Sequence, residues 1–181
     1  MRNKKLKIRF FTIADYEEEE IWLREIHQKG WKLVKTVIPC FYFFESCTPE
    51  DVVYRLDYKN NGESNDYFQL FQDYGWEYFN RCAGWLYFRK PVSEADTEQD
   101  TEIFSDDLSW ADMVNRIVKT RMLPLLVIFF CCVIPGLKRS IGISNGLTIF
   151  FSKMIFLCLC LLLHCGLKLC RLRKKYNKNV K

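Results

Sequence analysis

Few side chains outside the hydrophobic C-terminal part of this 181-residue chain have types and spacings suited to catalysis. His27 is the one histidine there, and its place on a predicted helix favours a surface residue over a catalytic base. Glu45, Asp57 and Glu77 lie on or beside predicted strands, which leaves open a dispersed carboxylate pair. The sequence has no glycine-rich phosphate loop, nucleophile elbow or paired metal-ligand motif. We therefore expect no enzymatic activity, no catalytic residue, no cofactor and no metal site.

Aromatic side chains on predicted β-hairpins are the better candidates for a functional site. Aromatic walls with a few polar tips suit a small apolar or cationic ligand. The alternative is that the same rings form the core of the sheet and its cross-strand pairs. The candidate ligand-binding residues are Tyr42, Trp76, Tyr78, Trp85 and Tyr87.

An internal repeat organises the elements that carry these residues. A shift of 45 residues places Gly30-Trp31 on Gly75-Trp76 and Tyr42-Phe43 on Tyr87-Phe88. A shift of 46 places Ile8-Arg9-Phe10 on Tyr54-Arg55-Leu56. Matches in the same order across three elements indicate a duplicated unit.

Each half of the repeat is predicted to form a strand, a helix and two further strands. Period-two alternation over residues 5–12 and 52–58 is typical of half-buried strands. A helix is predicted over residues 16–29, and residues 67–74 carry a helical apolar stripe. The predicted fold class is α+β, with duplicated strand-helix-strand-strand modules forming an antiparallel sheet with two helices on one face, followed by two transmembrane helices.

Glycine, proline and asparagine mark the predicted helix ends and turns. Gly30 and Gly75 suit left-handed helix ends. The predicted turns are at Pro39, Ala83-Gly84 and Asn60-Asn61-Gly62.

Two hydrophobic segments, residues 122–137 and 147–167, exceed what a domain this small can bury, and they predict a transmembrane hairpin. Residues 168–181 hold seven cations and no anion, whereas the turn at 138–146 holds two cations. This asymmetry predicts that both termini are cytoplasmic. Lys153 and His164 lie inside the second segment, either as functional groups or as side chains that snorkel to the interfaces.

The predicted organisation has six parts. They are a cytoplasmic duplicated α+β domain at 1–92, an acidic linker and docking segment containing Ile103, Phe104 and Asp106 at 93–107, a juxtamembrane helix at 108–121, transmembrane helices at 122–137 and 147–167, and a basic cytoplasmic tail at 168–181.

Several ordered motifs resemble one known family. The stretches EEEEIWLREIHQKGWKLVK, VYRLDY, YFQLFQDYGWE, GWLYFRKP and EIFSDD resemble the bacterial domain of unknown function 2812, over about residues 5–107. The resemblance implies a cytoplasmic domain, often followed by hydrophobic helices and often encoded beside PadR-like transcriptional regulators, and it brings no catalytic residue. The duplicated topology is also similar to gyrase-inhibitor-like ligand-binding domains.

These features together favour a binding protein at a membrane. We expect a membrane-anchored cytoplasmic binding or sensory domain in a multi-pass plasma-membrane protein. It would regulate a PadR-like transcription factor or sense a small apolar or cationic ligand, and no direct nucleic-acid binding is expected. The alternative is a non-catalytic accessory subunit of a larger membrane assembly.

Overall fold

The computed structural model describes residues 3–38, 40–59, 64–95, 97–103 and 107–177. The chain divides into two compact units, Met1–Met113 and Val114–Lys181. Some sequence-based predictions lie outside the described residues: the turns at Pro39 and Asn60-Asn61-Gly62, the residues Phe104 and Asp106 of the linker and docking segment, and the last four residues of the tail.

The first repeat forms a three-stranded antiparallel sheet with strand order β1-β3-β2. Its elements are β1 (Lys4–Ile8), α1 (Tyr16–Gln28), β2 (Trp31–Val37) and β3 (Phe41–Ser46). Gly30, at φ +81°, follows α1 in the left-handed conformation that was predicted for it. An alanine there would be strained, and its Cβ would lie 3.1 Å from the carbonyl oxygen of Cys47.

The second repeat forms an equivalent sheet with strand order β4-β6-β5. Its elements are β4 (Val52–Tyr58), α2 (Asn65–Asp73), β5 (Glu77–Cys82) and β6 (Trp85–Pro91). The register shifts between Leu33 and Lys35 in β2, and again between Tyr78 and Asn80 in β5, which is 45 residues later. The α+β class and the duplicated element order are confirmed, and the strands form two three-stranded sheets.

The two edge strands β1 and β4 correspond at a shift different from the one the sequence suggested. Tyr42 lies opposite Lys7 in the first sheet, and its repeat mate Tyr87 lies opposite Leu56 in the second. Lys7 therefore corresponds to Leu56, a shift of 49 rather than 46. Because the difference of three is odd, Ile8 lies on the opposite sheet face from the one that Tyr54 occupies in its own sheet.

We call the sheet face that bears Tyr42 in the first sheet and Tyr87 in the second the inner face. The opposite face, which bears Phe43 in the first sheet and Phe88 in the second, is the outer face. α1 packs on the inner face of the first sheet, where the Trp22 ring lies 5.0 Å from that of Tyr42. α1 also packs against β4, so one helix serves the inner faces of both sheets.

α2 covers only the outer face of the second sheet. The Phe71 ring lies 4.8 Å from that of Phe88, and Phe88 is completely buried. Phe43 occupies the equivalent place in the first sheet, yet its side chain is 43% exposed. The outer face of the first sheet is therefore open, and a groove of about 570 Å³ crosses it.

The segment from β6 to Met113 belongs to the first unit and packs against its other elements in two places. Ile103 packs against the buried cluster of the second sheet, as predicted for the docking segment. The indole nitrogen of Trp110, in α3 (Asp107–Ile117), donates to the hydroxyl of Tyr16 at 2.8 Å.

The second unit is built from two long apolar helices. The first continues from α3 through α4 (Leu123–Ile128) to α5 (Ile134–Ser140), with π-helical segments at Val118–Met122 and Phe129–Val133, and the second is α6 (Asn145–Asn177). The stretches Ser109–Ser140 and Asn145–Lys174, of 32 and 30 residues, are long and apolar enough to cross a membrane. They meet where the ring of Phe151 closes over Gly136.

Candidate functional site

α1 buries an unusual set of polar side chains because it packs against both sheets. Its buried residues are Tyr16, Glu19, Glu20, Trp22, Leu23, Ile26 and His27. Burying a carboxyl or an imidazole is costly unless hydrogen bonds or opposite charges replace the lost water. The surroundings of Glu19, Glu20 and His27 therefore show what each of these groups is able to do.

Glu19 lies where the inner faces of the two sheets meet. Its Oε1 atom accepts one hydrogen bond from the hydroxyl of Tyr42, at 3.0 Å, and one from the hydroxyl of Tyr87, at 2.8 Å. The side chain of Thr36 hydrogen-bonds to Tyr87, and Thr36 accepts from the amide nitrogen of Asn80 at 2.6 Å. This network is the candidate functional site.

The charge state of Glu19 is adjustable near neutral pH. Burial raises its pKa to about 7, although the two tyrosine hydrogen bonds act in the opposite direction. Burial, followed by the nearby Glu19 carboxyl, raises the pKa of Tyr42 and Tyr87, so both remain protonated donors. Among the described residues, no lysine or arginine forms an ion pair with Glu19. The site can therefore hold either a neutral acid or an anion that lacks a counter-charge.

Glu20, the next residue, has a structural role. Its Oε1 atom accepts from the backbone nitrogen of Leu56 in the edge strand β4, at 2.7 Å, and its Oε2 atom lies 3.3 Å from Arg55. Arg55 also forms a bidentate ion pair with Glu102. Burial raises the pKa of Glu20 to about 8, against the lowering effects of Arg55 and the Leu56 amide. Glu20 thus accepts from one backbone N–H on the edge of β4 that faces away from β6.

His27 belongs to a second polar cluster, at the other end of α1. Its Nδ1 atom lies 2.8 Å from the hydroxyl of Tyr54. Burial, followed by repulsion from Arg89, lowers the pKa of His27 to about 4, so the ring is neutral at pH 7. Arg89 itself pairs with Glu77 through two contacts of 2.6 Å and donates to the carbonyl of Leu33 at 3.2 Å.

Comparison with known families assigns the chain to one of them. The family described as "Protein of unknown function (DUF2812)" matches residues 15–128, which is more than half of the chain. The chain belongs to this family. The match begins at the N-cap of α1 and ends with α4, so it includes the start of the first apolar helix, which the sequence motifs had placed outside it. Neither curated proteins nor solved structures show a significant match.

The structure separates the five predicted ligand-binding residues into two groups. Tyr42 and Tyr87 meet at Glu19, and Trp85 lies on the same inner face, 5.4 Å from Tyr16 of α1. Trp76 and Tyr78 lie instead with the outer-face residues that α2 packs against: Trp76 joins the buried cluster with Phe88, whereas Tyr78 is 38% exposed and its ring lies 4.6 Å from that of Phe68. Ligand binding by these residues stays a prediction.

The candidate catalytic side chains do not come together. Asp57 accepts from the hydroxyl of Tyr67, Glu77 pairs with Arg89, and Glu45 lies opposite Lys4 at the far end of β3. Among the described residues, no group of three or more His, Cys, Asp or Glu side chains could hold a metal ion.

His27 corrects one prediction, because it is 5% exposed rather than a surface residue. By sequence alone, Glu19 and Glu20 belong to an acidic first turn that complements the helix dipole, which is typical of exposed positions. Their spacing from Leu23, Ile26 and His27 places all five residues on one helical face. That spacing is the signal that could have revealed the buried acids.

Proposed function

We propose that this chain is a membrane-attached binding protein whose first unit senses a small organic cation through Glu19. The observation that supports the proposal is a buried carboxyl group that receives two tyrosine hydroxyls and forms no ion pair with a described residue. A cationic ligand would supply the missing positive charge and would hold the carboxyl in its ionised form. The rings of Trp22 and Tyr42 would supply the aromatic contacts that favour such cations.

Access to Glu19 requires a movement, because its side chain is only 5% exposed. Tyr42, whose side chain is 6% exposed, lies at the margin of the site. Rotation of this side chain would open a path to the carboxyl group of Glu19. The ligand would then bind a minor open state and increase its population. That change in population is the means by which binding would be signalled.

A thermal-shift experiment on the full-length protein in detergent tests this proposal. The probe is tetraphenylphosphonium, and the uncharged control is triphenylphosphine oxide. All five tryptophans lie in the first unit, so their fluorescence reports on its unfolding. We expect a saturable rise in Tm with the cation alone, larger at about pH 8 than at about pH 6, because Glu19 ionises across this range.

Two variants separate binding at Glu19 from adsorption to the apolar helices. Glu19→Gln keeps the size and hydrogen-bonding capacity of the side chain but removes its charge, so the shift should disappear. Glu25→Gln, at an exposed position of the same helix, should keep it. Equal shifts in both variants, or no shift in the unmodified protein at about pH 8, would refute the proposal.

We further propose that the protein spans the plasma membrane twice with both termini in the cytoplasm. Supporting cations are Arg116, Lys119 and Arg121 before the first apolar stretch, and Arg171, Arg173 and Lys174 after the main part of the second, against Lys138 and Arg139 in between. A reporter that becomes active only in the cytoplasm should be active when it is fused after residue 181. Activity of a periplasmic reporter at that position would reverse the assignment.

A further inference from the structure

One end of the first sheet exposes a cluster of large apolar side chains, here called the apolar tip. It consists of Ile8, Phe10, Val37 and Ile38. Ile8 and Val37 both lie opposite Phe41 on the two sides of β3, so the register brings them to the same end of the sheet. Ile8 and Phe10 are each 67% exposed and Ile38 is 65% exposed. Side chains of this size are rarely so exposed together on a soluble surface.

The open outer face continues from the apolar tip. In the second sheet α2 covers this face, whereas in the first sheet the groove over Phe43 is lined by Leu6 and Val37, with Lys4 and Lys35 beside it. α1 packs on the inner face of the first sheet, and no helix among the described residues covers its outer face. The apolar outer face of the first sheet is therefore exposed because α1 packs on the inner faces of both sheets, while α2 covers the outer face of the second sheet only.

Positive charge surrounds this surface. On the outer face of the first sheet the register places three lysines, Lys4, Lys32 and Lys35, and one carboxylate, Glu45, which lines the groove at the end remote from the apolar tip. Arg9 is exposed beside the tip, with its guanidinium 4.8 Å from the ring of Phe11 and 5.1 Å from that of Trp22. Crowded cations of this kind attract an anionic surface.

We infer that the apolar tip inserts into the interface of a lipid bilayer, while Arg9 and Lys35 contact anionic headgroups. Apolar side chains flanked by cations are the combination that holds proteins on acidic membrane surfaces. The inference rests on the proposed membrane attachment, because the two apolar helices would keep this unit beside a bilayer. A protein partner would have to present acidic residues around an apolar centre. An acidic lipid leaflet presents anionic headgroups above apolar chains everywhere on its surface.

Photocrosslinking of the full-length protein in nanodiscs tests the inference. Phe10→p-benzoylphenylalanine places the crosslinker at the apolar tip. Tyr74→p-benzoylphenylalanine is the matched control, because Tyr74 is also 67% exposed but lies after α2 in the second repeat. The nanodiscs contain either phosphatidylcholine alone or phosphatidylcholine with phosphatidylglycerol. We expect lipid adducts at position 10, several-fold more in the acidic discs, and few adducts at position 74.

Charge variants test the role of the cations. The double variant Arg9→Glu and Lys35→Glu should reduce the lipid adducts at position 10 by roughly tenfold in acidic discs. Arg81→Glu, an exposed cation on β5 of the second repeat, should leave them unchanged. An equal loss with both sets of variants would overturn the specific role of Arg9 and Lys35.

Other outcomes contradict either this inference or the proposal beneath it. Adducts between two copies of the chain in place of lipid adducts would show that the tip is an interface between protein molecules. Equal adducts in neutral and acidic discs, or at positions 10 and 74, would overturn docking on an anionic surface. If the protein does not remain with the nanodiscs on size-exclusion chromatography, membrane attachment itself fails.

Discussion

Tyr42 and Tyr87 are 45 residues apart and donate to the same carboxylate oxygen, Oε1 of Glu19. The two tyrosines are repeat mates, but the acid that joins them is not repeated. The position equivalent to Glu19 is Ser64, which precedes α2. The duplicated hairpins therefore share one helix and one buried carboxyl group, and this asymmetry creates the candidate site.

Removing the charge of Glu19 should stabilise the protein at alkaline pH. The folded state holds the Glu19 proton up to a pKa of about 7, whereas the unfolded chain releases it near 4.5. The folded state binds more protons between these values, so stability falls as pH rises through this window. At about pH 8, Glu19→Gln should be more stable than the unmodified protein by about 1–3 kcal/mol.

The measurement for Glu19 is thermal or denaturant unfolding followed by tryptophan fluorescence at several pH values. Glu25→Gln is the control, and its stability should follow that of the unmodified protein at every pH. If Glu19→Gln were less stable than the unmodified protein at about pH 8, Glu19 would carry a stabilising charge rather than a buried proton.

His27 should have the opposite effect on the acid side. Its pKa of about 4 in the folded state lies below the unfolded value of 6.5, so the unfolded chain binds more protons between them. The stabilisation that comes from the neutral His27 is fully present above about pH 6.5. The free energy of unfolding falls by about 3 kcal/mol as the pH is lowered to about 4. His27→Asn should remove this loss while keeping a partner for the hydroxyl of Tyr54.

Between about pH 4.5 and 6.5 the titration of His27 makes stability rise with pH, whereas the titrations of Glu19 and of Glu20, whose pKa is raised to about 8, make it fall. Stability should therefore fall with pH in the unmodified protein, fall more steeply in His27→Asn, and change little in Glu19→Gln, where the titrations of His27 and Glu20 nearly cancel. Identical pH profiles of the two variants would show that these groups do not govern acid stability.

Arg89 should contribute more to stability than its partner Glu77. The Arg89 side chain is 13% exposed and donates to the Leu33 carbonyl of β2 as well as to Glu77, whereas Glu77 is 59% exposed. Arg89→Lys cannot keep both sets of contacts and should cost about 1–3 kcal/mol. Glu77→Gln should cost less than about 1 kcal/mol, as is usual for an exposed ion-pair partner. Equal losses in denaturant unfolding would contradict this difference.

Gly136 should be needed for the packing of α5 against α6. A Cβ atom there would lie 2.4 Å from the ring of Phe151, which is too close without a movement of the ring. We expect Gly136→Val to weaken the helical hairpin by about 1–3 kcal/mol, and Phe151→Ala in the same chain to recover part of the loss. Gly166→Ala is the control, because no atom lies within 4 Å of a Cβ at that position.

A double-mutant cycle on the full-length protein in detergent measures this coupling. Because all the tryptophans lie in the first unit, helicity measured by circular dichroism should be the readout for the second. Strictly additive effects of Gly136→Val and Phe151→Ala would show that this contact does not hold the two helices together.

Local patterns were sufficient for the order of the elements and for their repetition, except for the shift that relates β1 to β4. The 45-residue match of Gly30-Trp31 with Gly75-Trp76 located both helix ends, and the same shift relates the two strand bulges. The lengths of the two apolar stretches were also readable, because a run of apolar residues needs no partner to be recognised. These properties depend on neighbours in the chain, and the amino-acid order by itself determined them.

Tertiary structure decided which faces are covered. The alternation of Leu6 and Ile8 with lysines has period two whichever face is buried, and the register of β3 placed the apolar set outside. Glu19 and His27 are buried because α1 packs on two sheets, a contact between residues far apart in the chain. A buried acid and an open apolar face have the same local sequence pattern as their exposed and covered counterparts. Only the packing of distant strands and helices distinguishes them.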